Sequence, residues 1–122
     1  MKRHGRLITD YLRDILEAAQ AMQEFLASVS SIDEFRADRK TVFAVVRAFE
    51  LMGEATKNIP AQFRRRHPEI PWREMAGMRD KVIHEYFGVD VEVLWKTASE
   101  DVPAVRDAIQ AILTTSAEGE LL

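Results

Sequence analysis

The chain of 122 residues has no cysteine, few turn-forming residues and no long apolar run. Without cysteine there are no disulfides, no thiol nucleophiles and no thiolate-bound zinc or iron–sulfur centres, and the reducing cytoplasm is the natural compartment. Nothing reads as a strand, and there is no internal repeat or low-complexity segment. Apolar stretches stop at about five residues, far below the roughly 20 that span a bilayer, so no membrane partner is expected. Met1 to Arg6 is basic, but no unbroken apolar segment follows it, which speaks against a signal peptide. A net charge of −3 does not suit a globally basic nucleic-acid binder. Walker-type loops and Gly-x-Gly-x-x-Gly are missing, as are a nucleophile elbow and His-Glu-x-x-His, which leaves no ready phosphate cradle, serine-hydrolase site or zinc-protease site.

What is present is an ordinary globular balance, 47% hydrophobic and 30% charged, in a length that suits one domain. We read residues 1–116 as that domain and 117–122 as a flexible tail. The charge is unevenly placed: residues 57–81 carry a net +4 and residues 85–122 a net −6. Arg64, Arg65, Arg66, Arg73 and Lys81 make the middle segment the one a polyanion would choose, and otherwise a solvated basic turn.

Apolar residues recur at helical spacing throughout. Ile8, Leu12, Ile15, Ala19, Met22, Leu26 and Val29 form one stripe on a long first helix. An interruption over residues 31–38 follows, with Ser31 and Glu34 at capping-box spacing. A second long helix from near Asp38 bears Val42, Val45, Val46, Phe49, Met52 and Thr56, and stops at Pro60. Gly53 within it suggests a close helix approach. Residues 60–71 read as a connector with a short turn near Phe63. A third helix is expected from Pro71 to about Phe87, stopped by Gly88 and open to a break at Gly77. Asp90 caps a fourth with Val91, Leu94, Trp95 and Ala98, and Pro103 opens a fifth with Val102, Val105, Ile109, Ile112 and Leu113. The expected class is an all-α bundle of about five helices on two long antiparallel ones.

The third helix carries the unusual chemistry. Arg79 falls within an arc of Met75, Met78, Val82, Ile83 and Tyr86, where a guanidinium needs a counter-charge, a cleft or a partner. Asp80 and His84 are four apart and can meet, the carboxylate orienting the imidazole. Arg79 and His84 are five apart, about 140° around a helix. Either the helix starts or bends near Arg79, or two copies of it combine across a dimer; an interface salt bridge and a surface histidine are the plain reading. Glu50 and Glu54 read as a solvated pair with Arg47 and Lys57 as partners. Three histidines, His4, His67 and His84, give no metal-ligand pattern.

Residues 79–86, Arg-Asp-Lys-Val-Ile-His-Glu-Tyr, resemble the Arg-x4-His-x-Tyr motif of HepT-like toxins in the HEPN superfamily. The flanking Gly53-Glu54-Ala55, His67-Pro68-Glu69-Ile70-Pro71-Trp72, Met75-Ala76-Gly77-Met78 and Tyr86-Phe87-Gly88-Val89-Asp90 are similar to the same family. Asp80 is the polar residue the family commonly carries after its motif arginine. The resemblance implies a HEPN-like bundle, a homodimer with the motif helices near its two-fold axis, and a metal-independent endoribonuclease needing no cofactor. It further implies the toxin half of a type VII-like pair, whose MntA-type nucleotidyltransferase antitoxin attaches AMP to the motif tyrosine, here Tyr86. Arg79 and His84 would be catalytic, with Asp80 and Tyr86 in support. Histidine is the side chain that ordinarily titrates near neutrality, which makes His84 the acid–base candidate, and Arg79 offers phosphate a fixed fork. Two other readings remain: a non-catalytic interaction module of the same fold, and an RNA-binding bundle without turnover.

Overall fold

The computed structural model describes residues 6–84 and 90–115, the side chains of Arg79 and of residues 82–84 excepted. The described residues are helical without a strand, as the periodicity predicts. Helix α1 runs from Ile8 to Leu26, α2 from Ile32 to Ala37, α3 from Arg39 to Lys57 and α4 from Ala61 to Arg66. Helix α5 spans Trp72–His84, α6 Val91–Lys96 and α7 Val102–Thr115. The expected tail at 117–122 and the expected helix end at Phe87 and Gly88 lie outside the described residues.

The two 19-residue helices, α1 and α3, pack against each other, α5 lies on α3, and α7 lies on α1. Leu12, Ile15, Ala19 and Met22 are fully buried on α1, while Val45, Phe49 and Met52 answer them from α3. Each large apolar side chain buried this way contributes about 1.5–3 kcal/mol relative to leaving it in water. Gly53 is buried on α3, and Thr56, fully buried beside it, satisfies its hydroxyl by donating to the Met52 carbonyl at 2.7 Å. Val29 falls beyond the end of α1 and is still packed, partly buried, on the core.

The helix ends follow local chemistry. Ser31 Oγ accepts from the Glu34 amide at 3.2 Å and opens α2, a short helix where the sequence suggests only an interruption. The Glu34 carboxylate accepts from the Ser30 amide at 3.0 Å, one residue beyond the N-cap amide that a capping box would take. Phe35 from α2 is fully buried and its ring lies 5.4 Å from that of Trp95. Asp38 caps α3, accepting from the Thr41 amide at 3.1 Å and the Thr41 hydroxyl at 2.7 Å. These two bonds hold the Asp38 carboxyl below the usual carboxylate range.

Two expectations need correction. Gly77 does not divide the third helix, which is continuous from Trp72 to His84. Glycine lowers helix propensity but keeps its amide, so the hydrogen-bond ladder continues through it. The expected fourth and fifth helices are also not separate: a π-helical turn, Thr97–Asp101, joins α6 to α7. There the Val102 amide donates to the Thr97 carbonyl, five residues back. The wider turn removes the clash that the Pro103 ring would make with the carbonyl four residues before it in a regular α-helix.

Candidate active site

Helix α5 carries Arg79 and His84 and is anchored at its N-terminal end. The Met75 amide donates to the Pro71 carbonyl at 3.0 Å, so Pro71 sits just before the helix rather than within its first turn. Trp72 and Met75 are buried. The Trp72 indole N–H donates to the His67 carbonyl at 2.9 Å, and the Phe63 ring lies 4.6 Å from His67 and 6.3 Å from Trp72. This aromatic group locks α4 to the start of α5. His67 is thereby a packing residue, with Nδ1 3.6 Å from a Glu69 carboxylate oxygen.

Arg79 and His84 both lie on α5, in its C-terminal half. The helix begins seven residues before Arg79, which removes a helix start there as a way to bring the two together. On a continuous helix they stand about 140° apart around the axis and about 7.5 Å along it. Their side chains, and Tyr86 altogether, lie outside the described residues. Asp80 is exposed, and its Oδ1 accepts a hydrogen bond from Lys57 Nζ at 2.9 Å. That bond ties the last turn of α3 to the residue following Arg79. Helical spacing alone assigns Lys57 to the Glu50 and Glu54 face. Arg47 does pair with Glu50 there, at 3.3 Å, but Lys57 reaches α5 instead. Nothing in a linear sequence links positions 57 and 80.

The basic residues divide. Arg64, Arg65 and Arg73 line one shallow depression of about 510 Å³, together with Pro68, Pro71 and Trp72. The Nε of Arg64 is buried there with no hydrogen-bond partner among the described residues. Arg66 turns away, its guanidinium 5.4 Å from the centre of the Phe63 ring. Lys81 is exposed on α5 and does not line the depression. Among the described residues no group of three or more His, Asp or Glu side chains is placed to hold a metal ion. Nor is any helix among them long and apolar enough to cross a membrane.

The described residues thus form an all-α bundle with a basic depression at the start of the helix that bears Arg79 and His84. Residues 15–112 match the model of the family described as "Ribonuclease HepT-like", and the chain belongs to that family. It is 56% identical over 103 residues to "Probable ribonuclease HepT" of Thermococcus cleftensis, covering 84% of this chain and 93% of that protein. A protein named as a putative RNase in Caldanaerobacter subterraneus subsp. tengcongensis is 41% identical over 103 residues, 84% of this chain and 91% of its own. Another so named in Methanocaldococcus jannaschii is 39% identical over 107 residues, 88% of this chain and 97% of its own. No solved structure matches the chain.

Proposed function

We propose that this protein is a metal-independent endoribonuclease, the toxin of a type VII-like toxin–antitoxin pair, acting in the cytoplasm as a homodimer. Membership of the HepT-like ribonuclease family, with Arg79 and His84 together on α5, is the observation that carries the reading. In the reaction, the ribose 2′-oxygen attacks the adjacent phosphorus and the bond to the 5′-oxygen breaks. A base takes the 2′-hydroxyl proton, an acid returns one to the 5′-oxygen, and a cation holds the charge on the non-bridging oxygens. His84 serves as the acid–base group and Arg79 as the cation. One histidine per chain does not supply separate acid and base, and the 140° between Arg79 and His84 separates them on one helix. A second copy of α5 across a two-fold axis answers both shortages. Arg64, Arg65 and Arg73 draw the RNA backbone toward the site.

The partner in this reading is an MntA-type nucleotidyltransferase antitoxin that attaches AMP to Tyr86. The added phosphate then neutralises Arg79 and the nucleotide fills the space RNA needs. Intact mass after co-expression reads this directly: an AMP increment that disappears in Tyr86→Phe is expected. Cleavage of RNA by purified protein in the presence of EDTA, lost about a hundredfold or more in His84→Ala, tests the activity. Cleavage that EDTA abolishes and a divalent metal restores sinks the metal-independent assignment. Unchanged RNA binding with no cleavage by the wild-type chain favours the RNA-binding bundle.

A further inference from the structure

Helices α5 and α7 pack on α3 and α1 respectively but meet each other only marginally, which leaves a cleft between them. It encloses about 380 Å³, in the range of sites that hold large side chains or small ligands. Its inner wall is apolar: Met52, Met75, Met78 and Val105 line it, including three of the five methionines in the chain. Met52 and Met75 are core side chains with only their edges at the cleft and Met78 is partly buried, and methionine is flexible and polarisable enough to give way to a partner's side chains. The described rim is acidic. Glu69, Glu74, Glu100 and Asp101 are exposed around the opening, and among the described side chains no lysine or arginine lines it. Among the described residues, Glu74, Glu100 and Asp101 form no ion pair.

The geometry points to this cleft as a docking site for a cationic amphipathic segment of a partner protein, its apolar side chains between α5 and α7 and its lysines or arginines against the rim. Charge complementarity selects that occupant. Four carboxylates repel a nucleic-acid backbone, and a wholly apolar ligand leaves them uncompensated. The Arg64, Arg65 and Arg73 depression lies on the other side of the same corner, since Ile70, Pro71 and Glu74 border both. The corner thus separates a surface for polyanions from one for polycations. The inference stands on the cleft alone and does not depend on the nuclease reading.

The full chain with ¹³C-labelled methionine methyls provides the test, because Met52 and Met75 line the cleft and Met22 is fully buried on α1. The probe is a short amphipathic leucine–lysine peptide. The Met52 and Met75 resonances are expected to shift with saturation while Met22 stays in place. Glu100→Lys with Asp101→Lys, on exposed positions, should weaken the peptide about tenfold or more, as two reversed charges at a binding rim do. Ala104→Trp, also exposed and on the cleft lining, should block it by filling the opening. Several outcomes overturn the inference. One is the absence of methyl shifts, and another is an equal shift at Met22. Equally tight binding of a serine–lysine peptide reduces the effect to surface charge. Shifts of Met52 and Met75 that track protein concentration without peptide assign the cleft to a second copy. The same shifts on adding an RNA oligonucleotide assign it to nucleic acid.

Discussion

Helices α3 and α5 lie side by side and are built for different work. Helix α3 buries eight of its residues, from Val45 to Thr56, on faces turned to α1 and α5. Helix α5 is held at its beginning, by buried Trp72 and Met75, and presents exposed Gly77, Asp80 and Lys81 further along. One helix is a beam whose side chains are fixed by packing. The other is packed through Trp72, Met75 and Met78 and bears Arg79 and His84 further along. In the proposed reading stability resides on α3 and function on α5, and the Lys57–Asp80 bond joins them. Substitutions that separate the two properties sharpen this division.

The largest effect is expected in the beam. Phe49→Ala removes a side chain that is 1% exposed and should cost about 3–5 kcal/mol in a denaturant melt, enough to threaten the fold. A loss below about 1 kcal/mol would show that α3 is not the structural element it is taken to be.

Next comes the basic depression. Arg64→Glu with Arg65→Glu and Arg73→Glu should weaken RNA binding about uniformly across sequences. The slope of log affinity against log salt should fall by about 0.7 for each phosphate of single-stranded RNA that is no longer neutralised. The melting transition should barely move if these arginines serve RNA rather than the fold. An unchanged salt slope would place the RNA path elsewhere.

Gly77→Ala is expected to act in the opposite direction. The position is helical and exposed, and an added Cβ meets nothing within 4 Å. The substitution should stabilise the protein by about 0.5–1 kcal/mol, since alanine restricts the unfolded chain and suits the helix. Destabilisation would mean that this position is covered by something, such as a second copy.

The smallest effect concerns pH. The Asp38 carboxyl is held below its usual range by the Thr41 hydroxyl and amide. A carboxyl with a depressed folded-state value stabilises fully above its unfolded value and loses that contribution as pH falls through the folded one. Asp38→Asn leaves one acceptor oxygen where two accept, so it should lose a little stability at neutral pH and flatten the acid limb, the two profiles drawing together as pH falls. Identical acid limbs would show that the Asp38 cap does not contribute to acid sensitivity.

Much of the bundle was legible because its signals are local. The stripe on α1, the Asp38 and Asp90 caps and the stop at Pro60 are each written within a few residues. The less legible features depend on elements meeting. Helix α2 is only six residues long, too short for a periodic pattern to declare itself, and it is held by burying Phe35. A proline in the first turn reads as a new helix, whereas a π-helical turn lets the chain continue through Pro103. Of the candidate site, the placing of Arg79 and His84 on one helix was legible. Which arginines share a depression, and that Lys57 reaches Asp80, follow from the placement of α3, α4 and α5, which spacing does not record.

The central claim is that Arg79 and His84, too far apart around one helix to act together, form a site across two copies of α5. Mixed dimers of one Arg79→Ala chain and one His84→Ala chain measure it most directly, with differently tagged chains purified in tandem and assayed for RNA cleavage in EDTA. If each site draws on both chains, one of the two sites in the mixed dimer keeps both residues. Cleavage should then return toward half that of the wild type, while either variant homodimer stays at least about a hundredfold down. Verified mixed dimers no more active than the two homodimers would contradict the account and place each site within a single chain.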